Sequence, residues 1–243
     1  MSDGCKHCYA ERMDARFNPD HLPWTLGNAD KNVVMHADRL ELPYRWRKPS
    51  RVFVNSVSDL FHDNVPGEFI ARVFFVMQHS PLHTFQILTK RPERMREFVT
   101  ARVIETQKPI PSNVWLGVSV EDQHAAEERI PILCETPGVA IRFISCEPLL
   151  GPVDLRWAMR YIQGPLNSHI QWVIAGGESG AGARAMEVKW AQSLLARCKT
   201  EGIAFFMKQL GGYPNKENTM TALNTWDIGV REFPVEVQHD ESQ

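Results

Sequence analysis

Short apolar runs recur along the chain at intervals of roughly thirty residues, and amphipathic segments separate them. The runs are rich in β-branched and aromatic residues, which is typical of short strands that are buried on both faces. Seven strand candidates follow from this pattern, the first of them weak: Val33–Val34, Val52–Val54, Thr84–Leu88, Val114–Val118, Ile141–Ile144, Trp172–Ala175 and Ile203–Met207.

The segments between these runs have the spacing of amphipathic helices. Apolar residues between Phe69 and Met77 fall on one face after Pro66, and Pro92 opens a second helical segment. Asp122 has the position of an N-cap for a third helix that reaches Leu133. A fourth helix has an apolar stripe made of Trp190, Leu194, Leu195 and Cys198. Alternating strands and helices at this spacing predict βαβ units and a parallel sheet.

With seven strands, this pattern favours an incomplete parallel (β/α) TIM-like barrel over an open doubly wound sheet. The alternation covers residues 1–212, which we interpret as a single barrel-like domain. Residues 213–243 break the alternation because they are polar and contain Pro214 and Pro234. We therefore predict a C-terminal extension that packs on the barrel and ends in a frayed tail.

Composition and charge narrow the class of protein. A length of 243 residues suits one α/β barrel. The net charge of −2 gives no overall attraction to nucleic acid or membrane, although a local basic patch remains compatible with it. No apolar stretch approaches ~18 residues and the N-terminus lacks a signal core, so we expect a cytoplasmic protein without a membrane partner. The five cysteines are an odd number, which favours reduced thiols or metal ligands over disulfides.

Polar residues follow six of the predicted strands. Parallel barrels build their active sites from the loops after the strands, so these residues are candidates for one ligand site, although strand ends are polar in general. The catalytic candidates are Lys90, Glu121, Cys146 and Glu147, and the binding candidates include Asn55 and Ser119. The other strand-end residues are Ser56, Ser58, Asp59, Thr89, Arg91, Asp122, Ser145, Lys208 and Gln209. A nucleophilic Cys146 has no identifiable histidine partner.

The turn Gly176-Gly177-Glu178-Ser179-Gly180 is the most specific of these strand ends. Paired glycines let the backbone approach a ligand closely, and exposed amides can hold an anion or an amino-acid group. Glu178 could accept hydrogen bonds from an ammonium or a hydroxyl. A plain tight turn is the alternative interpretation.

Two cysteines near the N-terminus form a C-x-x-C loop, Cys5-Lys6-His7-Cys8, which enters a helix predicted from Tyr9 to about Phe17. Such a loop can place two thiolates on one metal ion or cluster. Two cysteines do not complete a tetrahedral site, so this motif is weak by itself. Cys134 and Cys198 have the positions of helix-face core residues.

Six motifs together resemble the phage-associated three-cysteine-motif proteins over residues 1 to about 212. The motifs are Gly4–Glu11, Val54–His62, Leu88–Pro92, Trp115–Glu121, Ser145–Leu149 and Gly176–Gly180. That family has no assigned activity and is in turn similar to radical S-adenosylmethionine (SAM) enzymes. In those enzymes, three cysteines hold three irons of a [4Fe-4S] cluster and SAM occupies the fourth iron.

The resemblance implies a role for several residues. Cys5 and Cys8 match the second and third family cysteines as metal ligands, and His7 takes the place of a common aromatic residue. The Gly176-Gly177-Glu178 turn resembles the turn that binds the SAM amino group, except that it follows a late strand and not an early one. The first family cysteine and the first barrel strand would lie upstream of Met1, so the resemblance implies an N-terminally truncated start.

The function implied by the resemblance is that of a radical-SAM-like iron–sulfur enzyme of phage or prophage origin, with an unspecified substrate. Such an enzyme cleaves SAM reductively to a 5'-deoxyadenosyl radical, which abstracts a hydrogen atom. Two alternatives remain. One is a phage accessory protein that binds or processes nucleic acid, with phosphate contacts from Arg39, Arg45, Arg47, Lys48 and Arg51, for which a solvated basic face next to Trp46 is the alternative interpretation. The other is a zinc-stabilised barrel without radical chemistry.

Overall fold

The structure, a computed structural model, describes residues 3–156, 170–180, 182–212 and 220–235. Its centre is a sheet in the order β1-β2-β3-β4-β5-β6, and every neighbouring pair is parallel. The strands are β1 Arg51–Val54, β2 Thr84–Thr89, β3 Val114–Ser119, β4 Arg142–Cys146, β5 Trp172–Gly176 and β6 Ala204–Gln209. The sheet curls into a half-barrel, which confirms the parallel α/β prediction and agrees with an incomplete TIM-like barrel.

A helix lies between β1 and β2, between β2 and β3, between β3 and β4 and between β5 and β6, as predicted, whereas residues 157–169 between β4 and β5 lie outside the described part. The described helices are α1 Tyr9–Phe17, α2 Ala29–Asn32, α3 Gly67–Gln78, α4 Pro92–Thr106, α5 Gln123–Glu135, α6 Val188–Glu201 and α7 Met220–Thr225. Short 3-10 turns lie at Asp3–Cys5, Leu26–Asn28, Ala37–Arg39 and Leu42–Arg45. The Asp122 carboxylate accepts a hydrogen bond from the Ala125 amide at 2.8 Å, which confirms the predicted N-cap of α5. None of the helices in the described ranges is long and apolar enough to cross a bilayer.

One predicted strand is wrong. Val33 and Val34 lie in an irregular segment directly after α2, so six of the seven candidates are strands in the described part of the chain. Val33 packs partly against the core, whereas the Val34 side chain is 63% exposed. Two apolar residues between helix α2 and a 3-10 turn are too few to build a ladder of hydrogen bonds.

The two faces of the sheet have different partners. Alternate strand residues such as Ile87, Leu116 and Ile144 belong to the large core that the helices cover. The opposite, concave face holds a second cluster, in which the ring of Trp172 lies 5.8 Å from that of Trp115 and 5.6 Å from that of Phe143. These rings come from the amino-terminal half of their strands. They therefore fill the concave face at that end and leave the carboxyl ends of the strands for a cavity.

The segment after α7 covers the outer edge of β6. The Met207 amide donates to the Val230 carbonyl at 2.7 Å, and the Glu232 amide donates to the Phe205 carbonyl at 2.8 Å. The Phe233 ring then packs 5.2 Å from the Trp172 ring. These contacts place the described residues 220–235 against the barrel. The domain boundary predicted at residue 212 adjoins residues 213–219, which lie outside the described part.

Candidate functional site

A cavity of about 350 Å³ lies at the carboxyl end of the sheet. The carboxyl ends of all six strands and the loops after them contribute to its wall, for example with Asn55, Lys90, Ser119, Glu147, Gly177 and Lys208. Most of the strand-end residues named from the sequence therefore meet in one place, because parallel strands end at the same edge of the sheet.

The C-x-x-C loop forms another part of the cavity wall. Cys5 ends a 3-10 turn and Cys8 immediately precedes α1, and both are partly buried beside the cavity. The Cys8 amide donates to the Cys5 carbonyl at 3.3 Å, which closes the loop between them. In the described ranges, no cluster of three or more histidine, cysteine or carboxylate side chains has the geometry of a metal site.

Lys90 connects Cys5 to a buried carboxylate. Its Nζ lies 3.6 Å from Cys5 Sγ and 3.5 Å from Glu121 Oε1. The Glu121 side chain is only 2% exposed, and its Oε2 accepts from Arg129 Nη1 at 2.9 Å. Because a buried carboxylate needs charged partners, Glu121 fixes Lys90 between the core and the thiol. Glu121 therefore lies behind the cavity wall, where it acts through Lys90.

Asp59 holds two strand-end loops together. Its carboxylate accepts hydrogen bonds from the Thr89 hydroxyl at 2.8 Å and from the Lys90 amide at 3.1 Å. It also accepts from Arg91 Nη1 at 3.0 Å. The loop after β1 thus sets the position of the loop after β2, and with it the position of the Lys90 side chain.

Glu147 is the main acidic group on the other side of the cavity. Its carboxylate lies 3.2 Å from Lys208 Nζ and accepts from the Ser145 hydroxyl at 3.2 Å. A Cβ at Gly176 would lie 2.7 Å from Glu147 Oε1, so a side chain there would displace this carboxylate. Gly176 is not in the cavity wall itself, and its role is to leave room for Glu147.

Gly177, the second glycine of the turn, allows a close contact between two loops. A Cβ at Gly177 would lie 2.0 Å from the Leu210 carbonyl oxygen, so any other residue would push the two backbones apart. The Gly177 amide donates to the Gln209 carbonyl at 3.0 Å, and the Gly212 amide donates to the Glu178 carbonyl at 2.8 Å. The glycine therefore allows the loops after β5 and β6 to touch, and a ligand contact of Gly177 stays a prediction.

Glu178 is buried in the cavity wall and pairs with Arg184. Arg184 Nη2 lies 2.6 Å from Glu178 Oε1, and Nε donates to Oε2 at 3.0 Å. Burial raises the pKa of Glu178, but the hydrogen bonds and charge of Arg184 outweigh burial and bring the pKa below its ordinary value. Arg184 also donates to the Asp3 carbonyl at 3.0 Å, so it fastens the N-terminal segment to this wall.

The structure does not bring Cys146 to the cavity. Its side chain is fully buried in the helix-side core, on the face opposite to the neighbouring Ser145 and Glu147. Burial strongly raises the pKa of the Cys146 thiol. Burial also raises the pKa of Cys134 to about 11 and that of Cys198 to about 12. These three thiols are therefore poor nucleophiles, unlike thiols that line a polar cavity.

Three site residues were missing from the sequence prediction. The sequence pattern could have revealed Arg129, since this residue lies on the face of α5 that otherwise buries Ala125, Ile130 and Leu133. A charge on an apolar stripe indicates a buried partner, here Glu121. Arg184 lies in an irregular loop, where no periodic pattern could have revealed it. Trp24 lines the cavity because its amide donates to Glu11 Oε1 at 2.7 Å and its Nε1 donates to Asp14 at 3.1 Å.

The fold and the site together define a class: a parallel α/β half-barrel with a C-x-x-C loop beside a polar cavity at its strand ends. The chain belongs to the DUF5131 family, described as a protein of unknown function, whose model matches residues 1–236. Neither the curated proteins nor the solved structures gave a significant match to it.

Proposed function

We propose that this protein is a radical-SAM-like iron–sulfur enzyme whose cluster is bound by the thiolates of Cys5 and Cys8. The observation that carries the proposal is that both cysteines of the C-x-x-C loop line the cavity on which the strand-end residues converge. Two thiols in one loop fit two of the three thiolate positions of such a cluster. When bound, the cluster supplies one-electron chemistry to a SAM molecule in the cavity.

Lys90 favours metal binding at Cys5. Thiolates, and not thiols, are metal ligands, and a nearby ammonium stabilises the anionic sulfur. Lys90 Nζ is 3.6 Å from Cys5 Sγ, and its contact with Glu121 keeps it there. The same positive charge would offset part of the negative charge that a thiolate-bound cluster brings into the cavity.

The opposite wall suits an amino-acid group such as that of SAM. Glu178 is a carboxylate with a lowered pKa, so it stays charged and offers an acceptor to an ammonium. Lys208 provides a half-exposed cation for a carboxylate, while Asn55 and Ser119 provide neutral hydrogen-bonding groups in the same wall. Glu121 and Asp59 contribute by holding Lys90, and none of these roles requires Cys146.

Anaerobic reconstitution with iron and sulfide tests the proposal. We expect bound iron and sulfide, a brown visible absorbance that dithionite bleaches, and a change in the electron paramagnetic resonance spectrum when SAM is added. Cys5→Ser and Cys8→Ser should each abolish the absorbance. Cys134→Ser is the matched control, because Cys134 lies on α5 outside the cavity wall, and it should leave the absorbance unchanged.

Two results would contradict the proposal. Zinc bound at Cys5 and Cys8, with no cluster under reducing conditions, would indicate a zinc-stabilised barrel. A cluster that persists in the Cys5→Ser/Cys8→Ser double variant would show that the iron is bound elsewhere.

A further inference from the structure

A basic segment leads into the first residue of β1, at the end of the sheet opposite to the cavity. We define it as residues 37–51, which contain five basic and two acidic residues in a chain of net charge −2. Its basic side chains, those of Arg39, Arg45, Arg47, Lys48 and Arg51, are all exposed. Within the described part of the chain, none of these five forms an ion pair, and the acidic Asp38 and Glu41 are exposed as well. The segment therefore presents an excess of uncompensated positive charge to solvent.

Aromatic side chains alternate with these cations. Tyr44 is 47% exposed and Trp46 is 39% exposed, and Arg45 lies between them in the sequence. The Trp46 ring packs edge-on against His83 at 5.5 Å, so its orientation is fixed although much of it faces solvent. Anchored, exposed rings among cations are the surface on which unpaired bases stack while their phosphates are neutralised.

The edge strand β1 joins the basic segment to the cavity. Arg51 and Phe53 lie on the concave side of β1, and Asn55 follows them in the cavity wall. Phe53 is 40% exposed although it lines the cavity, because β1 is the edge of the half-barrel. At about 3.3 Å per residue, the distance from Arg51 to Asn55 is roughly 13 Å. A surface thus continues from residues 37–51 through the exposed Phe53 of β1 to the cavity, and the Arg51 guanidinium at its start stacks 4.0 Å from the centre of the Phe233 ring.

We infer that this surface binds single-stranded nucleic acid. The basic segment contacts the phosphates, and Trp46 and Phe53 stack against unpaired bases. The strand follows β1, which brings one nucleotide to the cavity. That this nucleic acid is the substrate of the enzyme rests on the proposed function. The binding itself requires no cluster. A single strand suits the surface because stacking on a protein ring needs a base that is free of its complement.

Fluorescence anisotropy with a short labelled oligonucleotide of mixed sequence and the metal-free protein tests the inference. We expect binding that weakens with salt, with a logarithmic slope of about 0.7 per phosphate contacted. Arg45→Glu/Arg47→Glu should weaken binding at least ~10-fold and flatten the slope, because two phosphate contacts are replaced by repulsion. Arg72→Glu/Lys199→Glu makes the same change of charge at exposed helix positions, and it should have little effect.

The aromatic part of the surface has its own test. Trp46→Ala and Phe53→Ala should each weaken binding by about 5-fold or more, because each removes a stacking platform. Phe75→Ala is the matched control, since Phe75 is 56% exposed but lies on α3. Circular dichroism of each variant confirms that the fold is kept.

Three outcomes would overturn the inference. They are no binding at low salt, an equal loss of affinity in Arg45→Glu/Arg47→Glu and Arg72→Glu/Lys199→Glu, or binding of duplex as tight as that of single strand. Cluster assembly is measured separately, so the two proposals fail separately. A protein that forms the cluster but binds no oligonucleotide refutes only the inference. A protein that binds oligonucleotide through these residues but forms no cluster refutes only the proposed enzyme.

Discussion

Two arginines, Arg129 and Arg184, determine the electrostatics of the cavity because each pairs with a buried carboxylate. The side chains of Glu121 and Glu178 are 2% and 4% exposed. A buried carboxylate that loses its partner costs about 3–5 kcal/mol, whereas an exposed ion pair contributes about 0–1 kcal/mol. We therefore expect these two pairs to affect the free energy of unfolding far more than the surface pairs do.

Arg184→Gln should lower the free energy of unfolding at neutral pH by about 3–5 kcal/mol, because it leaves the Glu178 charge buried without a partner. Glu178→Gln should cost less, since the Arg184 side chain is 33% exposed and water can solvate it. Urea unfolding measures both values. Arg197→Gln is the control, because its partner Glu201 is about one third exposed, and it should cost less than ~1 kcal/mol. Equal losses at Arg184 and Arg197 would contradict the prediction.

The Glu178 pair also has a predicted pH dependence. The pKa of Glu178 is lower in the folded protein than its unfolded value of 4.5, so folding favours the charged form. The stability it contributes is therefore present above pH 4.5 and is lost as the pH falls through the lower, folded pKa. The difference in unfolding free energy between the parent protein and Glu178→Gln should shrink across that acid range.

The parallel strand pattern predicted that the strand-end residues would lie together, but it did not assign them to a face of the sheet. Lys90, Asn55, Ser119 and Glu147 all reach the cavity because every parallel strand ends at the same edge. Cys146 follows Ser145 in the same motif but points into the helix-side core. Since β4 is buried on both faces, its sequence has no polar alternation that would show which side is concave.

At the level of elements, α5 is held at both ends by side chains. Asp122 accepts from the Ala125 amide at its start, while Arg142 on β4 donates to the carbonyls of Leu133 and Thr136 at its end, at 3.2 and 2.7 Å. The helix needs these contacts because Pro131 lies inside it and cannot donate an amide hydrogen bond. The position of α5 matters for the cavity, because α5 also places Arg129 beside Glu121.

Asp122→Ala should reduce the free energy of unfolding by about 1 kcal/mol, because the first turn of α5 loses its side-chain acceptor. Asp122→Asn is the control that keeps an acceptor oxygen at the N-cap, and it should cost only a fraction of that value. Chemical unfolding of the two variants provides the comparison. If alanine and asparagine proved equally tolerated, the cap would contribute nothing measurable.

Helices were easier to predict than the weakest strand. The helical faces of α3 and α6 repeat over several turns, so their periodicity is unambiguous. Val33–Val34 offered two residues and no period, and the strand expected there is absent from the described fold. A pattern that short cannot distinguish a strand from an apolar contact between a helix and the core.

At the scale of the whole molecule, the C-terminal segment protects one edge of the sheet. Residues 230–232 pair with β6, and Leu223 and Ile228 are fully buried in the main core. An uncovered edge strand can pair with another copy of the chain and promote aggregation. Sequence polarity alone suggested an extension, but it gave no sign that residues 230–232 pair with β6, because the pairing depends on how the chain returns in three dimensions.

Removal of residues 226–243 should therefore cause self-association and lower the thermal midpoint of unfolding. The exposed β6 edge and the lost contact of Phe233 with Trp172 are the physical reasons. Size-exclusion chromatography with light scattering measures the association. Removal of residues 236–243 only is the control, since it keeps the paired segment. This variant should have the same state of association as the parent protein. Identical behaviour of the two truncations would refute the protective role of residues 226–235.

Trp24 gives the cavity a built-in optical probe. Its indole is tied to Asp14 on α1 and lines the cavity together with both cysteines of the C-x-x-C loop. An iron–sulfur cluster absorbs where tryptophan emits, so energy transfer to a cluster bound at Cys5 and Cys8 would quench the emission of Trp24, which lines the same cavity. The fall in emission that occurs in the parent protein and is missing in Trp24→Phe then reports cluster occupancy, with the emission and the absorbance of each protein recorded on the same sample.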